Sequence, residues 1–355
     1  MSKVSNHASE AITDVLASAA PEVSQGQAED IAAKYFGVKG AARNLASERD
    51  TNYYVRTAEG RGYALKFANP AEPPENTNFQ TEALLYLEKI DPSLPVPKVV
   101  GGIDGAHERT LTLSDGRKSV VRLLTWVEGE QVANVGVSGA LRRDIGVSLA
   151  RLGSALSGFD HPAAAHDILW DIKNALRLRD KVVEVPGQDL RAQVGAELDN
   201  FEANVAPRLP FVRQQVIHND LNHYNVVVHP DSPEQVAGIL DFGDMVKTAL
   251  VIDVAVAASY LTSLPDNALD CVTDVVSAYH AVTPLTRPEV ELVRDLIVAR
   301  LVTSICITNW RASRYAENAD YILRNNGPAR LGMANFASLP RDMVTEHLLR
   351  ACHME

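Results

Sequence analysis

At 355 residues the chain is too long for one ordinary compact core and suits two units of roughly 100–200 residues each. A composition of 46% hydrophobic and 22% charged residues excludes disorder as the default state. The formal net charge of −11 argues against a nucleic-acid or anionic-membrane surface, because those partners need clustered Lys and Arg, and it fits cationic or metal-bound ligands better.

In chain order, residues 1–26 are loosely patterned and read as an N-terminal extension. "QAEDIAAKYFGV" predicts a short helix, with acidic residues at its start and Gly37 at its close. "NLASERDTNYYVRTAEGRGYALKFANP" predicts two strands joined by a turn around "AEGRG", since aromatic and branched residues alternate with polar ones on both sides. "NFQTEALLYLEKI" sets Phe79, Ala83, Tyr86 and Leu87 along one helical face, and "LPVPKVVGGIDG" breaks it. "ERTLTLSDGRKSVVRLLTWVEG" predicts a further hairpin turning at "SDGR", with Gly129 ending its second strand.

Residues 27–128 therefore read as a small, mainly β unit with one inserted helix, and residues 129–355 as a larger, mainly helical one. In the second, Leu141, Ile145, Leu149, Leu152 and Leu156 recur as a core-facing stripe. Its clear β interruption is "VIHNDLNHYNVVV" with "VVVHPDSPEQVAGILDFGD". The predicted class is α+β.

Cys271, Cys306 and Cys352 are widely spaced without a CxxC pair, so neither a disulfide framework nor a zinc site is expected, and a reducing cytoplasm is. The first two dozen residues do not read as a signal peptide. The longest apolar stretch, "ALVIDVAVAASYL", is too short for a membrane span and contains Asp253.

The polar loop between two apolar runs carries the chemistry. Its spacing is His218-x-Asp220-x4-Asn225, and Asp241 of "ILDFGD" stands 16 residues beyond Asn225. Phosphoryl transfer from a nucleotide needs a carboxylate beside the attacking hydroxyl and oxygen ligands that hold Mg²⁺ against the phosphates. Asp220 fits the first task, Asn225 and Asp241 the second. His218 reads as structural, packing and hydrogen-bonding the loop.

"VIHNDLNHYNVVV" followed by "GILDFGDM" resembles the aminoglycoside phosphotransferase and choline kinase superfamily, small-molecule kinases with a two-lobed protein-kinase-like fold. "LASERDTNYYV", "DFGDMVKTALVIDVAVAASY" and "RLVTSICITNW" are similar to hydroxylysine kinases in particular. The resemblance implies a β-rich nucleotide-binding N-lobe, a helical C-lobe, Mg²⁺, and ATP or GTP as co-substrate. It implies a small, cationic, hydroxylated acceptor, hydroxylysine-like in shape. The alternatives are an aminoglycoside or choline/ethanolamine-type kinase, and a non-catalytic nucleotide-binding pseudokinase module.

Upstream residues take roles consistent with this resemblance. Lys66 in "GYALKF" faces away from Leu65 and Phe67 and is expected to reach the phosphates, with Glu82 as its ion-pair partner; an ordinary strand lysine is the alternative. Ser47 in "ASERDTNYY" stands where a phosphate-covering loop would lie, or is a plain turn residue. The base is expected against backbone groups from Thr125 to Val127. Asp253, an ionisable group in an apolar helix, needs a partner, and the resemblance makes it a brace for the catalytic loop. Asp244 is open to three tasks: binding the cationic end of a substrate, helping to hold metal, or capping the next helix.

Overall fold

Helix α1 (Gln25–Phe36) begins at Ser24, whose hydroxyl accepts from the Gln27 N–H while the Gln27 side chain accepts from the Ser24 N–H. It stops at Gly37, whose φ of 69° is left-handed backbone that favours glycine. The structure, a computed structural model, describes residues 18–47 and 49–354, so the readings made on residues 1–17 lie outside the described residues. Two compact units result: one of residues up to Glu128 together with His161–Ala164, the other Gly129–Asp160 with Ala165 onward.

The first unit is built on a six-stranded antiparallel sheet. Strands β1 (Gly40–Leu45), β2 (Thr51–Thr57), β3 (Gly62–Phe67), β6 (Lys118–Thr125) and β4 (Val99–Val100) follow in that spatial order, and β5 (Arg109–Thr112) also pairs with β6. The hairpin around "AEGRG" is β2–β3, paired from Thr51↔Phe67 to Arg56↔Gly62. β1, which the sequence reading did not separate, adds an edge strand to it. Alternation decides which face is dry: Tyr53, Val55, Leu65, Phe67, Val121 and Leu123 pack with Ala28, Ala32 and Phe36 of α1. Helix α2 (Pro74–Ile90) starts earlier than the apolar pattern suggests, because Pro74 suits a first turn, and it buries Phe79, Ala83 and Leu87.

The second strand of the later hairpin ends at Thr125 and not at Gly129. Gly129, at φ 154°, instead opens β7 (Glu130–Gln131) in the second unit, where a Cβ would lie 2.8 Å from the Val228 carbonyl oxygen. β7 pairs with β9 (Val226–His229), which pairs with β10 (Ser232–Ile239). A separate ribbon joins β8 (Gln214–Ile217) to β11 (Val246–Ala249).

Around these strands the second unit is helical. Helix α3 (Gly139–Leu156), capped by the Ser138 hydroxyl, buries the predicted stripe from Leu141 to Leu156. Helix α4 (Gln188–Asn204) buries Val194, Leu198 and Phe201 along one side. Helix α5 (Leu250–Ser259) is buried along all its 10 residues. Helix α6 (Ala268–Val282) follows, and α7 (Arg287–Ala312) is buried for most of its length. Among the described residues no helix is long and apolar enough to cross a membrane. The three cysteines are unpaired and buried.

Helix α3 meets α6 at Gly146, where an added Cβ would sit 2.5 Å from the Val275 carbonyl oxygen. Backbone on both sides leaves no side chain to swing away. Gly146→Ala is expected to cost about 1–3 kcal/mol, seen as a lower thermal or urea midpoint; an unchanged midpoint would show that the two helices part freely.

Candidate active site

The loop between β8 and β9 is held from below by Asp253 on α5. One Asp253 oxygen accepts from the His218 N–H at 3.2 Å, the other from the Asn219 N–H at 2.8 Å. A buried carboxylate is stabilised by such donors, and these two fix the loop where it turns through Asn219 at φ 65°. His218 is fully buried; its Nε2 meets the Leu240 carbonyl at 2.9 Å and its ring lies edge-on to Phe242 at 4.9 Å. Both contacts tie the loop to the segment carrying Asp241.

The strand register brings Asn225 and Asp241 to one end of the β9–β10 hairpin. Val226 pairs with Ile239, and the Leu240 N–H donates to the Asn225 carbonyl at 2.7 Å. Asp241 follows at φ 55°, left-handed backbone held by the Gly243 N–H on its own Oδ1 at 3.2 Å.

Asp220 is positioned at both carboxylate oxygens. The side-chain amides of Asn222 and Asn225 donate to Oδ2 at 2.9 and 2.8 Å. Arg300, on α7 and 1% exposed, donates to Oδ1 at 2.8 Å, and the Tyr260 hydroxyl approaches the same oxygen at 3.5 Å. Arg300 is itself clamped: it donates to the Tyr260 hydroxyl at 3.0 Å and the Trp170 carbonyl at 3.1 Å, with its guanidinium over the Trp170 ring at 4.9 Å. Burial pushes the Asp220 carboxyl up to about 6, Arg300 opposing and the Asp244 charge adding to it. A carboxylate with that value is ionised at neutral pH yet basic enough to accept a proton.

The donor set suits a hard cation. The Asn225 amide N–H groups are committed to the Asp220 carbonyl and carboxylate, so its side-chain oxygen is the atom left to act as a ligand. With a carboxylate oxygen of Asp241 it offers two oxygen donors. Among the described residues no three His, Cys, Asp or Glu cluster as a metal cage. Mg²⁺ commonly takes one or two protein oxygens and completes its shell with phosphates and water.

Asp244 lies in the turn before β11, so it does not cap a helix; α5 begins at Leu250 with Ala249 in the cap position. Its carbonyl accepts from the Asn219 side chain at 3.1 Å. Arg300 and Tyr260 were not singled out from the sequence, although Arg300 opens the quoted "RLVTSICITNW".

In the first unit Lys66 is half-buried on β3, on the face opposite Leu65 and Phe67. The expected pairing with Glu82 is absent: Glu82 is exposed on α2 and, among the described residues, makes no ion pair with Lys66. The inward turn of α2 is occupied otherwise, since buried Arg122 of β6 reaches Gln80 and Thr81. Ser47 lies in the β1–β2 connection beside Glu48, which is outside the described residues. The Thr125 N–H is taken by the Lys98 carbonyl at 2.9 Å and the Trp126 N–H by the Gly62 carbonyl at 3.1 Å. Among the described residues the Val127 backbone makes no such bond, so its N–H and carbonyl remain for a ligand.

The sequence profile of the phosphotransferase enzyme family matches residues 41–292. A hydroxylysine kinase from Danio rerio is 25% identical over 336 residues, covering 91% of this chain and 94% of that protein. Among solved structures, a microcompartment-associated aminopropanol kinase superposes with a TM-score of 0.69 at 19% identity, covering 91% of this chain and 97% of the other. An amicoumacin kinase in complex with AMP-PNP, Ca²⁺ and Ami superposes with a TM-score of 0.60 at 14% identity, covering 99% of this chain and 95% of the other. At these identities the structural likeness is one of fold, the α+β protein-kinase-like arrangement.

Proposed function

Because the chain belongs to the phosphotransferase enzyme family, and is a small-molecule phosphotransferase acting on a hydroxyl group, we propose that it transfers the γ-phosphoryl group of ATP or GTP to a small hydroxylated amino acid or amino-alcohol, hydroxylysine-like in shape. Asp220 is the base. Its Oδ2 accepts from two amides and its Oδ1 from Arg300, while the second Oδ1 lone pair, reached by Tyr260 at 3.5 Å, is the weakly held one that a substrate hydroxyl takes over. As the substrate oxygen bonds to the γ-phosphorus, its proton passes to Asp220 and the bond to the bridging oxygen breaks, releasing the nucleoside diphosphate.

Asn225 and Asp241 would hold Mg²⁺, which when bound neutralises phosphate charge and orients the terminal group. Lys66 binds phosphate, Ser47 contributes to the covering turn, and the Val127 backbone takes the base. Asp244 carries the negative charge suited to an ammonium end of the acceptor. The observation that carries this reading is the Asp220 carboxylate, held at both oxygens and flanked by an asparagine whose amide nitrogen is spent on it.

Asp241→Ala tests the metal assignment. Calorimetric titration with Mg²⁺-ATP and Mg²⁺-GTP should show affinity weakened by about tenfold or more, at least ~1.4 kcal/mol. Equal affinity in the variant would remove Asp241 from the metal site.

A further inference from the structure

Tyr224 lies inside the catalytic loop, one residue before Asn225, and faces a guanidinium from a distant part of the same unit. Arg324, in the single turn Leu323–Asn325 that follows the short helix Ala319–Ile322, stands 4.1 Å from the Tyr224 ring centroid and 4.1 Å from that of Tyr321. Each π-face attracts the cation and shields it from water. A guanidinium carries five N–H donors in a planar fork that matches a carboxylate, and the Tyr321 hydroxyl engages only part of it.

Arg300, a second guanidinium at the loop, is already committed to Asp220. Arg324 is not: among the described residues no carboxylate pairs with it. Tyr224, next to Asn225 in the loop, places this cation beside the reaction centre. Burial pushes the Tyr321 phenol up, with the Arg324 charge and its hydrogen bond to that phenol opposing and the charges of Asp241 and Asp220 adding to the rise.

We infer that Arg324 is the carboxylate-binding group of the acceptor site, which makes the preferred acceptor a hydroxylated amino acid with a free carboxylate and not a simple amino-alcohol. This rests on the kinase reading above and names its substrate class. Asp244 would take the ammonium end and Arg324 the carboxylate, with the hydroxyl delivered to Asp220. The stack also gives a task to the short irregular segment, residues 316–325, that interrupts the helices at this point of the chain.

The test uses matched acceptors that differ only in the carboxylate: 5-hydroxylysine against 1,5-diaminopentan-2-ol, and homoserine against 3-aminopropan-1-ol. Steady-state kcat/KM is measured with Mg²⁺-ATP or Mg²⁺-GTP for the full chain and for Arg324→Met and Arg324→Lys. The full chain should prefer the carboxylated member, and Arg324→Met should shrink that preference by about tenfold to a hundredfold, a charge-assisted pair being lost. Arg324→Lys, which keeps the charge without the fork, should retain part of the preference and carries the comparison if the Met variant does not fold. Equal losses on both members would make Arg324 a phosphate contact or a structural staple and overturn the inference. A wild-type preference for the carboxylate-free members would overturn it too, while leaving the kinase reading intact. Failure to phosphorylate any of the four would defeat both.

Discussion

Asp220→Asn is expected to lower kcat by about 10²–10⁴-fold, the usual contribution of a positioned proton acceptor. The affinity for Mg²⁺-nucleotide should stay within about twofold of wild type, because the change removes basicity and not a phosphate contact. The surroundings dictate how the new amide sits. Asn222 and Asn225 both donate to Oδ2, so the carbonyl oxygen of the substituted side chain must face them, which turns its NH₂ toward the Arg300 donor. Two donors then confront each other, and some loss of stability accompanies the loss of turnover; a melting curve separates the two effects. Turnover within about tenfold of wild type in a folded variant would leave Asp220 without the role of base.

Arg300→Met should be the most damaging change outside the loop itself. Arg300 serves the Asp220 carboxylate, the Tyr260 hydroxyl and the Trp170 carbonyl at once, from a position 1% exposed. Removing it leaves a carboxylate uncompensated, and breaking such a pair costs about 3–5 kcal/mol in a fully buried setting. Asp220 keeps 20% of its side-chain exposure, so the loss should fall toward the lower end. Activity should fall further than stability, because the carboxylate loses its orientation as well as its countercharge. Arg300→Lys discriminates: it restores a charge, and it should recover part of kcat without restoring every hydrogen bond. If Lys and Met behave alike in kcat while nucleotide affinity is unchanged, Arg300 acts only as packing.

Several features of this molecule are legible in the sequence because they are local. The α3 stripe, the α1 stop at Gly37 and the order of His218, Asp220, Asn225 and Asp241 each depend on spacing along one segment. What escapes depends on partners far away in the chain. β11 is four residues containing Lys247, and only its pairing with β8, some 30 residues upstream, makes it a strand. β1 lacks an apolar alternation and is held by its register on β2.

Arg300 is an instructive miss, since the argument that made Asp253 suspect applies to it equally. It is an ionisable group in an apolar helical run, "LIVARLVTSICI", and such a group needs a partner. The partner is the carboxylate of Asp220, 80 residues earlier. Glu82 failed in the opposite direction. A helix acid near a strand lysine suggested a pair, but burial of Phe79 and Ala83 turns Glu82 to the outside. The placement of Arg324 over both Tyr224 and Tyr321 leaves no trace in spacing, because the two rings come from segments nearly a hundred residues apart.

Phosphorus NMR of the full chain with Mg²⁺-ATP or Mg²⁺-GTP and 5-hydroxylysine tests the central claim most directly. The account predicts a phosphomonoester signal growing in step with the nucleoside diphosphate and abolished by chelating the metal. Release of inorganic phosphate alone, or an unconsumed nucleotide across all hydroxylated amines and amino acids offered, would contradict it.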